Sequence, residues 1–62
     1  MKYLIRTGTG HYWRKQVRYG GLALWNVVLE KSEAHRFWTR KMASRFIKDG
    51  NYKNHTIEEV DA

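Results

Sequence analysis

A chain of 62 residues with no cysteine has room for one small domain, and neither a disulfide nor a thiolate metal site can reinforce it. Three Trp, four Tyr and two Phe are its means of building a core, each able to bury about 150–250 Å². The formal charge of +6 is uneven: residues 1–53 set twelve Lys and Arg against Glu30, Glu33 and Asp49, a net of +9, while residues 54–62 carry three acids and no cation.

A basic body of this kind points to a polyanionic partner. No stretch approaches the roughly 18 apolar residues of a membrane span. The segment Met1–Arg6 has no apolar run for a signal peptide. The chain opens with Met and is expected to be complete and to act in the cytoplasm. The lack of cysteine fits that reducing compartment.

Alternation predicts a first strand over about Lys2–Thr7, with Tyr3 and Ile5 on one face and Leu4 and Arg6 on the other. Thr7-Gly8-Thr9-Gly10 then reads as a hairpin loop. It is no phosphate cradle, because no Gly-Lys-Ser/Thr follows and no helix begins there. A second strand is expected over about His11–Arg18. Trp13 and Val17 share one face; Tyr12, Arg14, Gln16 and Arg18 share the other. Lys15 falls on the Trp13 side, and must either snorkel at an edge or mark a bulge.

Gly20-Gly21 turns the chain into a third strand, about Leu22–Leu29, where Trp25, Val27 and Leu29 can face inward, although the nearly continuous apolar run from Leu24 to Leu29 leaves the inward face open. A helix there is disfavoured by the two glycines ahead and by Val27-Val28 within.

Residues 32–49 allow a single helix from Ser32, or an extended piece through Phe37 followed by a helix capped by Thr39; the second is preferred. Met42, Ala43, Phe46 and Ile47 then share one face, with Arg40, Lys41, Arg45 and Lys48 outside it as a second basic surface. Lys48 suits the helix C-terminus and Gly50 the position just past it. Ile57 and Val60 mark a short edge strand over about His55–Val60. The expected fold is α+β: a small antiparallel sheet of three to four strands, in the order β-β-β-α-β, with one helix on one face.

No set of residues carries catalysis. His11, His35 and His55 stand apart, without metal-ligand spacing. Ser32 and Ser44 lack a nucleophile context, and adjacent Glu58 and Glu59 face opposite sides of a strand. A non-enzymatic protein without cofactor or metal is expected. The basic and aromatic segment of strand two is more informative. If its Trp13 face packs on the helix, then Tyr12, Arg14, Gln16 and Arg18 form a row on the other face, with Arg6 beside them. Arg and Gln reach phosphates and base edges, and Tyr offers a stacking plane. These five residues are the candidate nucleic-acid contacts, for DNA or RNA.

The stretch Arg36-Phe37-Trp38-Thr39-Arg40-Lys41-Met42-Ala43 resembles the Phe-x-Thr-Lys-x-x-Ala that opens the helix in the N-terminal arm-binding domains of phage and transposon integrases. That resemblance covers about residues 2–49. It implies three antiparallel strands before a helix, a sheet inserted in a DNA groove, and core, cap and helix–sheet contact roles for Phe37, Thr39 and Ala43. Ala34, Phe37, Thr39 and Ala43, with Trp25 ahead of them, also resemble small phage proteins built as hairpin, helix and final strand. A phage or mobile-element origin follows as an expectation, and with it an alternative function: an inhibitor or adaptor docking on a host protein, with Trp38 as its anchor. A homodimer through strand three or the last strand would suit either function.

Overall fold

The computed structural model describes residues 1–17 and 20–61, so Arg18 lies outside the described residues. Four strands, β1 (Lys2–Arg6), β2 (Tyr12–Val17), β3 (Ala23–Val28) and β4 (Thr56–Val60), form one antiparallel sheet in the order β3-β2-β1-β4. One helix, α1 (Arg40–Asp49), lies over β1 and β4 on a single face. Among the described residues no helix is long and apolar enough to cross a membrane.

The turn between β1 and β2 is closed by the Thr7 and Gly10 amides, which donate to the His11 and Thr7 carbonyls at 2.8 and 3.0 Å. Beyond it the two strands diverge. They pair at Arg6 and Tyr12, and residues 35–37 then enter between them. Tyr3 and Phe37 exchange both backbone hydrogen bonds, at 2.9 and 2.8 Å, and the His35 amide donates to the Trp13 carbonyl at 2.9 Å. The extended piece preferred from the sequence is therefore part of the sheet. It follows a single 3-10 turn at Lys31–Glu33 and ends at Thr39, whose side-chain oxygen accepts from the Met42 amide at 3.1 Å.

Alternation along the strands gives the sheet two different faces. Under α1, Ile5, Phe37 and Ala43 are buried with Tyr3, Trp13, Trp25, Phe46, Ile47 and Ile57 packed around them. On the opposite face, Leu4, Tyr12 and Ala34 form a second, smaller buried cluster with Val60. This explains the spacing of three between Ile57 and Val60, which point to opposite faces of one strand.

Several inward expectations are corrected. Val17, Val27, Leu29 and Met42 are exposed: α1 sits over β1 and β4, which leaves the edge strand β3 with Val27 and the turn end of β2 with Val17 uncovered, Leu29 lies past the end of β3, and Met42 is on the open side of α1. Lys15 snorkels rather than marking a bulge: β2 and β3 keep an unbroken register from Tyr12–Val28 to Val17–Ala23, and the Lys15 ammonium stands 6.0 Å from the Trp25 ring centroid. Gly50 is the C-cap itself, at φ −83°. Asn51, at φ 54°, takes the left-handed position. Its amide donates to the Lys48 carbonyl and that of Tyr52 to the Ile47 carbonyl, both at 3.1 Å, which completes a Schellman motif.

Candidate nucleic-acid interface

The face opposite α1 is where the sequence places its candidate contacts. β1 brings Lys2 and Arg6 there, β2 brings Tyr12, Arg14 and Gln16, and β4 brings Thr56 and Glu58. Because Phe37 pairs with Tyr3 on the helix side, its neighbour Arg36 points to this face too. Trp38 follows, 71% exposed, with the Lys2 ammonium stacked over its ring.

The expected row is only partly available. Tyr12 is a core residue on this face, 8% exposed, because it is packed in one cluster with Leu4 and with Ala34, the residue that ends the 3-10 turn. Its hydroxyl lies 3.2 and 3.3 Å from the two Glu58 carboxylate oxygens and donates to that group. A stacking role for Tyr12 is thereby corrected. Arg6 is near the same acid at 3.9 Å, and Lys31 reaches it at 3.1 Å. Arg14 and Gln16 meet the expectation of a projecting pair: Gln16 is exposed, Arg14 half-buried, and among the described residues neither has a side-chain partner. Lys2 and Arg36 likewise have no acidic partner among the described residues.

Lys2, Arg6, Arg14 and Arg36 thus share this face with one strand carboxylate, Glu58, which of the four lies near Arg6 alone. Sequence reading missed Lys2 and Arg36. The signal for Arg36 and Trp38 was the period of two running outward from Phe37 once that residue is taken as strand. Trp38, expected as a protein anchor, stands on the same face as the basic row.

The second basic surface is on the outside of α1. Arg40, Lys41, Arg45 and Lys48 are all exposed there. Arg40 lies 3.9 Å from Glu59 and Arg45 3.7 Å from Asp49, exposed pairs worth about 0–1 kcal/mol each. This surface carries more of its own counter-charge than the sheet face does.

Two of the three histidines, His35 and His55, sit among aromatics. His35 packs edge-on to Trp25 and Phe37 at 5.2 and 4.6 Å between centroids. Burial, and then the nearby Lys15 cation, hold its pKa below the ordinary 6.5. His55 stacks on Tyr52 at 5.1 Å and donates from Nδ1 to the Lys53 carbonyl at 2.8 Å. Its Nε2 and the Trp13 Nε1 are buried and have no hydrogen-bond partner among the described residues. Among the described residues no three His, Asp or Glu side chains converge as a metal ion would need.

Comparison with protein families, with curated proteins and with solved structures found no match to this chain.

Proposed function

We propose that this chain is a non-enzymatic nucleic-acid-binding protein, an accessory protein of phage or mobile-element type that uses the sheet face opposite α1. One observation carries the reading: Arg14 and Gln16 stand on that face with Lys2, Arg36 and an exposed Trp38, and its one strand carboxylate, Glu58, is already engaged by Lys31 at 3.1 Å and lies 3.9 Å from Arg6. Side chains two apart on a strand are spaced by about 6.6–6.8 Å, comparable to successive phosphates along a backbone. Trp38 supplies the stacking plane that Tyr12 cannot, and stacking on an aromatic is tolerant of base identity.

The test is a titration of labelled single-stranded and duplex DNA and RNA at several salt concentrations. Affinity falls steeply with salt, because Lys and Arg displace condensed counterions. Arg14→Ala combined with Arg18→Ala flattens that dependence, and Trp38→Ala weakens single-strand binding. No binding to any of the four probes at low salt ends the proposal.

Trp38 also favours a second reading. At 71% exposure it has the form of an aromatic anchor for a host protein. A partner that survives nuclease treatment in a bacterial pull-down and is lost with Trp38→Ala supports that reading over the first.

A further inference from the structure

We propose that the nucleic acid taken by this face is single-stranded, and that it crosses the sheet over Arg14, Arg36 and Lys2 with one base stacked on Trp38. The inference deepens the nucleic-acid reading and rests on it. Its ground is the segment that enters between β1 and β2. Phe37 pairs antiparallel with Tyr3, and the same register sets Arg36 opposite Leu4 and Trp38 opposite Lys2. The Lys2 ammonium, 2.8 Å from the Trp38 ring centroid, fits that alignment. On its other side the segment is bonded to β2, the His35 amide donating to the carbonyl of Trp13, beside Arg14. Arg36 therefore stands between β1, with Lys2, and β2, with Arg14, about 4.8 Å from each at one strand spacing. The basic path runs across the strands, at the end of the sheet away from the Thr7–Gly10 turn, and Trp38 stands at its end beside Lys2.

Three features select a single strand over a duplex. Trp38 is 71% exposed, and a ring can stack only on a base whose plane is free, which a base inside a duplex does not offer. A major groove admits a helix or a two-stranded ribbon lying against it. Here Ala34 is buried with Leu4 and Tyr12, and Lys31 reaches Glu58 at 3.1 Å, so the 3-10 turn lies on the face and interrupts it. Finally, Glu30 and Glu33 are exposed at that turn, and among the described residues neither is paired with a cation. The two fixed phosphate rows of a duplex would meet the turn and its acids. A flexible strand needs only the basic end, where Lys2, Arg14 and Arg36 have no acidic partner among the described residues.

Lys2 holds the Trp38 ring until a base arrives. Stacking of a base on an aromatic is stronger than an exposed cation–π contact. The base takes the ring, and the ammonium turns to the adjoining phosphate.

The experiment titrates the full chain with single-stranded DNA and RNA, with the duplexes of the same sequences and with an abasic single strand, reading affinity and tryptophan emission together. The path reads phosphate and base plane, which both sugars share, so preference for either single strand over its duplex supports the proposal. The intact strand quenches the emission and the abasic strand, bound more weakly, does not. Trp38→Ala weakens binding of the intact strand roughly 5- to 150-fold, so that intact and abasic strands bind alike, while the salt slope stays as it was. Trp38→Phe recovers most of the affinity without the quenching. Lys2→Gln and Arg36→Gln act the other way, each making the slope of log affinity against log salt shallower by about 0.7. Should Trp38→Ala fail to fold, the contrast in quenching between intact and abasic strands reads the same stack in the wild-type chain. A duplex bound as tightly as its single strand overturns this proposal and leaves the nucleic-acid reading standing, as does equal quenching by intact and abasic strands. No binding of any probe ends both.

Discussion

The Tyr12 hydroxyl and the Glu58 carboxylate meet at 3.2 Å across the sheet, joining β2 to β4 over the intervening β1. This contact makes Glu58 the local restraint on the basic face, since the same carboxylate holds Lys31 at 3.1 Å and lies 3.9 Å from Arg6. Glu58→Gln keeps an acceptor for Tyr12 but releases both cations. Nucleic-acid binding is expected to tighten, with the slope of log affinity against log salt steeper by about 0.7–0.9 for each cation released to a phosphate. An unchanged slope in the salt titration would show that ligand does not lie on this face.

His35 gives the fold a pH dependence. Burial and the Lys15 cation hold its folded-state pKa below the ordinary 6.5, so between those two values the unfolded chain binds more protons than the native one. The contribution is complete above about pH 6.5, declines as pH falls through that window, and levels off below the folded value. Urea midpoints measured from pH 8 down to pH 5 are expected to drop less for His35→Gln than for wild type. Equal drops would assign the effect to other groups.

Gly50 is required by close approach and not by a left-handed backbone: its φ is −83°, but a methyl group there would overlap the Tyr52 ring. That ring stacks against Phe46 and His55 and lies 4.9 Å from Trp13. Gly50→Ala is expected to cost about 1–3 kcal/mol as an overpacked site. Thermal melting measures the loss, and a change in tryptophan emission reports the displaced ring beside Trp13.

Thr39 caps α1 from its side chain, with the Met42 amide 3.1 Å away. Thr39→Ala removes that acceptor and is expected to cost about 1 kcal/mol. In a domain this small that is about 4–8 °C in Tm. Thr39→Ser, which keeps the hydroxyl, is expected to recover most of it. Equal losses in the two variants would mean that the hydroxyl does not act as the cap.

What the sequence by itself determined is local. The period of two placed Tyr3 and Ile5 opposite Leu4, and Trp13 opposite Arg14 and Gln16. Two glycines announced the turn after β1 and the turn before β3, and Thr39 before a helical stripe marked where α1 begins. Adjacency alone sent Glu58 and Glu59 to opposite faces. These signals act between near neighbours, through backbone sterics and the first turn of a helix, so one sequence suffices to read them.

The tertiary structure decided what covers each face. Tyr12 and Arg14 share a side of β2, yet Tyr12 is buried because Ala34, twenty-two positions on, folds over it. Trp25 and Val27 share a side of β3, yet Val27 is exposed because α1 lies over β1 and β4. Residues 35–37 enter the sheet because β1 and β2 part beyond their turn and leave backbone donors and acceptors to satisfy. Burial depends on which distant segment arrives, and no periodicity within a strand encodes that arrival.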